Sequence, residues 1–360
     1  MKNTLLFVSD DVKIDSLQVD YITAQVKANF DILDAIYFLD KKNKELFLNL
    51  DDILFKYKNI IIFCHKKSFP IVNKIISTIT KDNLELKMNN MLIPSNSILF
   101  EDKSYLLEHE DKRINVIEYT KFQTLPNLLI RSRDEIKYVY LQGLNKISAQ
   151  DLIDPLASNL NVKVSMCEVV DSLIFLRAQS SKFGDLSSFI DSLKNILDNK
   201  IILKKNLVFH IVQTLIKSNK KISFAESCTG GYLSNLFIQQ PGSSNIIDAN
   251  IVSYADSIKE GWLGVESTVL EQFGAVSEQC VRQMLDGITK ITNSNLAVAI
   301  SGIAGPDGGT KDKPVGTVFI GVKNGKTVLI EKLSLQGDRI HIQKSTAWNA
   351  IRLLLEIINE

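Results

Sequence analysis

Short apolar runs, separated by polar and helix-compatible stretches, recur along the chain. Residues 4–8 (TLLFV) and 59–64 (NIIIFC) are β-branched or aromatic runs, each followed by a polar stretch and then by apolar residues at helical spacing. Runs that are apolar at every position belong to strands buried on both faces, so this alternation predicts a parallel sheet in an α/β domain. Segment 16–29 carries Leu17, Tyr21, Ile22 and Val26 near a 3.6-residue period, and 69–80 carries Ile71, Ile75, Ile76 and Ile79 likewise. Both predict crossover helices.

From about residue 136 the pattern shifts. KYVYLQGL predicts a strand, 148–160 is amphipathic, SLIFLRAQ at 172–179 predicts a second strand and LSSFIDSLKNILD at 186–198 a helix, together a small β-α-β-α unit. The charged RSRDE at 131–135 and NKIILKKN at 199–206 mark its junctions. Beyond them a helix at 207–220, a strand at 222–225, a helix at 229–239, a strand near 245–254, a helix capped by Ser277 and a strand at 295–301 follow in order. The segment 315–336 predicts a hairpin, with Asn324-Gly325 as the central pair of a type I′ turn, and a last helix covers about 340–358.

Length and composition narrow the class. At 360 residues the chain exceeds what one core usually organises, which predicts two or three domains. The 45% hydrophobic and 23% charged residues, without low-complexity tracts, exclude a disordered chain. Lys and Arg total 42 against 41 Asp and Glu, so no overall field selects nucleic acid or an anionic membrane. The apolar runs are far shorter than the ~20 residues that span a bilayer, and MKNTLLFVSDDVKID is too acidic for a signal peptide. Cys64, Cys167, Cys228 and Cys280 lack CxxC spacing; this predicts neither a zinc site nor a disulfide framework and points to the reducing cytoplasm.

Three glycine-bearing polar clusters each follow a strand: AESCTGG at 225–231, SYADSIKEGWLG at 253–264 and SGIAGPDGGT at 301–310. Ligand sites in α/β sheets gather at the carboxyl ends of strands, so the three are candidates for one crevice. In the first, a helix starting near Cys228 or Thr229 would offer free N–H groups to an anion; otherwise Ser227 or Thr229 only caps that helix. In the third, Ser301 ends an apolar strand and the following glycines form either an anion nest or a wide turn. Lys259 is a candidate base toward a serine, with Tyr254 nearby, although a solvated lysine and a packing tyrosine fit the same residues. Arg339 is a candidate clamp for phosphate or carboxylate, or a surface ion-pair partner. His341 fits a helix face as well as a base, and no feature near Cys228 identifies a base for its thiol.

Together AESCTGG, VSYADSIKEGWLGV, GAVSE, SGIAGPDGGT and GDR closely resemble the C-terminal domain of the CinA family, over about residues 205–360. That resemblance implies a nicotinamide-nucleotide amidase, which converts nicotinamide mononucleotide to nicotinate mononucleotide and ammonia without metal or cofactor. It also implies an α/β layout: a molybdopterin-biosynthesis-like three-layer domain at 1–133, a small KH-like α+β domain at 134–203, and a C-terminal α/β domain with a mixed sheet at 204–360. The middle unit lacks a GXXG loop, so nucleic-acid binding is not inferred. The N-terminal region reads SDDVKID and CHKKSFP where the family carries GTELLLG and GGLGPT. This departure implies that the family's ADP-ribose pyrophosphatase activity is lost and that the domain is architectural; the alternatives the resemblance leaves open are a non-catalytic scaffold associated with competence or DNA damage and a residual ADP-ribose pyrophosphatase.

Chemistry and motif position assign Ser227 as nucleophile, with Thr229 as the alternative, Lys259 as base and Tyr254 as proton relay or orienter. Glu226, Cys228, Thr229, Gly230, Ser301, Gly302, Gly305 and Arg339 are expected to bind the nucleotide or its oxyanion. Glu226 has the further option of positioning Lys259, and Cys228 contributes its N–H, since relatives carry Leu there. Relatives imply a homodimer.

Overall fold

The computed structural model describes residues 2–87, 90–131 and 135–359, which fall into two compact units, 1–133 and 134–360. Most of the charged junction at 131–135 lies outside the described residues.

The first unit runs β1 (Asn3–Val8), α1 (Ser16–Asn29), β2 (Ala35–Leu39), α2 (Leu46–Lys56), β3 (Asn59–His65), α3 (Phe69–Ile79), β4 (Leu84–Leu86), β5 (Leu92–Pro94), β6 (Ser97–Glu101), β7 (Ser104–His109) and β8 (Lys112–Tyr119). The main sheet has the order β2-β1-β3-β8-β7-β6, parallel through β8 and antiparallel beyond it. Because side chains alternate across a strand, Leu6, Val8, Ile60 and Ile62 pack toward α2 and α3, while Leu5, Phe7, Ile61 and Phe63 pack toward α1. The result is three layers. Asp15 caps α1 by accepting the Gln18 N–H at 3.1 Å. Only Gln18, Ile22 and Val26 of α1 are buried; Leu17, one position off that stripe, is 75% exposed. Helical spacing thus located the helix but not the angle at which it meets the sheet.

The second unit begins with β9 (Ile136–Gln142), α4 (Lys146–Asn159), β10 (Val162–Val170), β11 (Leu173–Ser180), α5 (Leu186–Leu197) and β12 (Ile201–Ile202). The antiparallel order β10-β11-β9-β12 makes this a β-α-β-β-α-β arrangement, with two strands more than the apolar runs predict. VKVSMCEVV in β10 escapes a search for apolar runs because half of it faces solvent, Cys167 and Glu168 included. One face of this sheet packs on α4 and α5. Tyr140 and Leu173 on the other join the core of the segment that follows.

That segment runs α6 (Leu207–Lys217), β13 (Ile222–Glu226), α7 (Tyr232–Ile238), β14 (Ile247–Val252), α8 (Asp256–Leu263), α9 (Ser267–Phe273), α10 (Glu278–Thr292), β15 (Leu296–Gly302), β16 (Thr317–Asn324), β17 (Thr327–Ser334) and α11 (Arg339–Asn359). Its mixed sheet has the order β14-β13-β15-β16-β17, with β13 parallel to both neighbours and the last two strands antiparallel. Helices α6, α7 and α11 cover one face, and α8 and α10 cover the other. Ser277 caps α10 as expected, accepting the Cys280 N–H at 3.2 Å. The hairpin forms one residue later than expected: Asn324 pairs with Thr327, so Gly325 and Lys326 are the loop and only Gly325 has positive φ. A type I′ turn needs positive φ at both central residues, so the Asn-Gly signal placed the hairpin and missed its turn type. Among the described residues no helix is long and apolar enough to cross a membrane.

Candidate active site

The parallel strands β13, β14 and β15 deliver their carboxyl ends to one edge of the mixed sheet, and the three glycine-bearing clusters meet there. They surround a cleft of about 240 Å³ whose lining includes Ser227, Tyr254, Lys259, Gly302, Gly305 and Arg339.

Ser227 directly follows β13 and is 8% exposed; Lys259, one turn into α8, is 1% exposed. The Lys259 Nζ lies 3.4 Å from Ser227 Oγ and donates to the carbonyls of Ser253 at 2.9 Å and Tyr254 at 3.2 Å. The Asp256 carboxylate is 3.5 Å from the same nitrogen. Buried lysines are rare unless partnered, and this one is surrounded by oxygens. The two carbonyls fix two of its N–H directions, which leaves the third tetrahedral position for Ser227.

Glu226 and Thr229 do not face the cleft as expected. The Glu226 carboxylate, 1% exposed, accepts the Leu233 N–H at 3.1 Å, the Ser234 N–H at 2.8 Å and the Thr229 hydroxyl at 2.6 Å. It thereby satisfies orphan donors at the start of α7, an anion placed where the helix dipole favours it. That helix begins at Tyr232 rather than 229, after Gly231 at φ 90°, so the Cys228 and Thr229 N–H groups belong to a tight turn and not to a helical first turn. The turn is closed by Gly230 N–H to the Ser227 carbonyl at 3.0 Å. Gly230 has φ 60° and open space where a Cβ would stand, so the turn requires its backbone conformation rather than its small size.

The remaining expected residues divide. Arg339, at the start of α11, donates to the Gly305 carbonyl at 2.7 Å and to the Tyr254 hydroxyl at 3.0 Å, tying two of the clusters together. Tyr254 thus meets Lys259 through its carbonyl and Arg339 through its phenol. Ser301, although it lines the cleft, donates its hydroxyl to the Ala275 carbonyl at 2.7 Å and is 1% exposed. At Gly302 a Cβ would meet the Val318 side chain at 2.6 Å, so this glycine permits strand packing. His341 is exposed, lies 3.4 Å from the Ser345 hydroxyl and is not part of the cleft lining. Two contributors went unnamed in the sequence reading. Asp256 sits three residues before Lys259 on the same helical face, a spacing that was visible. Gln343 on α11 donates to the Cys228 carbonyl at 2.7 Å from 115 positions away, and no local pattern announces it.

Burial pushes the Cys228 thiol up to about 12, so at neutral pH it is a protonated, poor nucleophile. Cys64 and Cys280 are buried as well, and only Cys167 is exposed. A chromogenic disulfide reagent is therefore expected to titrate one thiol in the folded chain and four after denaturation; rapid reaction of Cys228 in the native protein would contradict this environment.

Residues 204–358 match the family model described as the CinA C-terminal domain. A CinA-like protein of Petrotoga mobilis is 32% identical over 63% of this chain, which spans 56% of that protein's length. One from Thermotoga maritima is 29% identical over 97% of this chain and 86% of its own. The crystal structure of the competence/damage inducible protein CihA from Agrobacterium tumefaciens is 33% identical, with 99% of it covered by 44% of this chain at a TM-score of 0.41. Residues 204–358 belong to the CinA family as its C-terminal domain. Four of the five CinA-like motifs, AESCTGG, the YADSIK segment, GAVSE and SGIAGPDGG, contribute residues to the cleft lining, and the fifth, GDR, contributes Arg339.

Proposed function

We propose that this CinA-family chain is a nicotinamide-nucleotide amidase working through a serine–lysine pair. The observation that carries the reading is the fully buried Lys259 with its Nζ 3.4 Å from Ser227 Oγ at the floor of the cleft. A hydroxyl becomes a nucleophile toward an amide when an adjacent base takes its proton, and apo distances of this kind shorten when substrate fills the site.

In this mechanism neutral Lys259 keeps its two N–H bonds on the Ser253 and Tyr254 carbonyls and accepts the Ser227 proton on its lone pair. Ser227 Oγ bonds to the carboxamide carbon, and the tetrahedral oxyanion is received by the Cys228 and Thr229 N–H groups of the turn. Lys259 then passes the proton to the leaving nitrogen, the C–N bond breaks, and ammonia departs from a serine ester. A water molecule repeats the attack, giving its proton to Lys259; the ester C–O bond breaks, Ser227 recovers its proton and nicotinate mononucleotide leaves. Arg339 has spent two of its five N–H donors on Gly305 and Tyr254, so the rest serve the substrate's phosphate. The N-terminal unit is read as architectural, with its ADP-ribose pyrophosphatase activity lost.

The test is ammonia release from nicotinamide mononucleotide by the purified chain in chelator, run beside metal-supplemented hydrolysis of ADP-ribose. Ammonia with stoichiometric nicotinate mononucleotide is the expected result. Its absence, with or without phosphate-bond cleavage of ADP-ribose, overturns the reading.

A further inference from the structure

Nicotinamide mononucleotide has three parts to hold: a carboxamide, a ribose and a phosphate. The carboxamide is placed at Ser227 and Lys259, and the phosphate at Arg339, which is itself bonded to the Gly305 carbonyl at 2.7 Å. The ribose joins those two ends, so it passes along the stretch of loop after β15 to which Arg339 is tied. Of the residues from Ser301 to Gly308 that line the cleft, Ser301 and Asp307 are the two with polar side chains. Ser301 spends its hydroxyl proton on the Ala275 carbonyl at 2.7 Å. Asp307 is exposed, and among the described residues its carboxylate has neither a hydrogen bond nor an ion pair.

We infer that Asp307 binds the ribose hydroxyls and makes the cleft selective for ribonucleotides, an inference that rests on the amidase reading. Two adjacent hydroxyls can donate to the two oxygens of one carboxylate, and such charge-assisted bonds are about twice as strong as those between neutral groups. The neighbouring carboxylates are engaged elsewhere. Glu226 accepts from the Leu233 and Ser234 N–H groups and the Thr229 hydroxyl, and Asp256 stands 3.5 Å from the Lys259 amine. The loop that carries Asp307 is tied on both sides of it. Arg339 holds Gly305 before it, and beyond it Lys313 donates its Nζ to the Phe273 carbonyl at 2.6 Å. The Thr310 N–H, donated to the Lys313 carbonyl at 2.8 Å, closes the turn between. A loop tethered in this way needs little further ordering when the sugar arrives, so more of the bond to the hydroxyls appears as affinity.

The test compares KM for wild type and Asp307→Ala, each with nicotinamide mononucleotide and with its 2′,3′-dideoxy counterpart, reading ammonia release. In wild type, removing the two hydroxyls is expected to raise KM by about tenfold or more with little change in kcat, the size of a hydrogen bond to a charged group. Asp307→Ala is expected to raise KM for the ribose substrate to that same level. It leaves KM for the dideoxy substrate unchanged, because the group that Asp307 would have bound is already absent. Asp312→Asn, in the same loop but outside the cleft lining, keeps the wild-type preference for ribose. A role in loop structure alone would raise KM by one factor on both substrates, and that result overturns the inference while leaving the amidase reading standing. Equal KM for the two substrates in wild type does the same. Absence of ammonia from nicotinamide mononucleotide with the wild-type chain overturns the amidase reading, and the inference with it.

Discussion

Ser227→Ala is expected to reduce ammonia release from nicotinamide mononucleotide by about a thousand-fold or more, with the fold and substrate binding preserved. The substitution removes one oxygen at a site that is 8% exposed, and among the described residues the hydroxyl's hydrogen-bond partner is Lys259 at 3.4 Å. Lys259→Met keeps the buried stem and deletes the amine; it should fall to a similar level. In the proposed mechanism the two groups act on one proton, so the double variant should lose no more than either single one. Additive losses would show that the residues act independently and that the pair is wrongly assigned. Thr229→Val is the comparison that separates the two candidate nucleophiles. Thr229 is 3% exposed with its hydroxyl on Glu226, so its loss should loosen the start of α7 and leave most of the chemistry in place. Full loss of activity in Thr229→Val, with Ser227→Ala still active, would reverse the assignment.

The second large effect is expected far from the nucleophile, at Gly287. In the interior of an exposed helix, Gly→Ala usually stabilises by up to about 1 kcal/mol. Here α10 presses this glycine against the last turn of α8, where an added Cβ would overlap the Leu263 carbonyl. That obstacle is main chain and cannot swing aside. Gly287→Ala should therefore destabilise by about 3 kcal/mol, the upper part of the overpacking range. Helix α8 also carries Lys259, so whatever shift relieves the overlap is transmitted toward Ser227 and activity should fall together with stability. Denaturant midpoints and turnover of the same preparations test this; an unchanged midpoint would mean that the two helices are not in the close contact described.

The fold was most legible where an element is buried on both faces. NLAVAIS and ISFAE are apolar or small at nearly every position because both faces of β15 and β13 are covered, and a scan for apolar runs finds them at once. Strand β10 is half exposed and reads as loop until its partner β11 is known. The serine and lysine that the fold brings within 3.4 Å of each other were legible in the sequence as residue types within motifs. Glu226 was misread for a physical reason: a carboxylate after a strand looks available, and only the tertiary course of the chain brings the Leu233 and Ser234 N–H groups onto it. The Gln343 contact was hidden because the hydrogen bond that holds the turn bearing Ser227 begins in the last helix.

That last contact also dictates when the site can exist. Helix α11 supplies both the Gln343 bond to Cys228 and the Arg339 bonds to Gly305 and Tyr254. Until those residues have been synthesised and docked, the turn bearing Ser227 and the loop after β15 lack the bonds that fix their spacing. During synthesis the strands and Lys259 emerge before this clasp, so a chain cut before α11 would carry Ser227 and Lys259 without the bonds that hold their two loops in place.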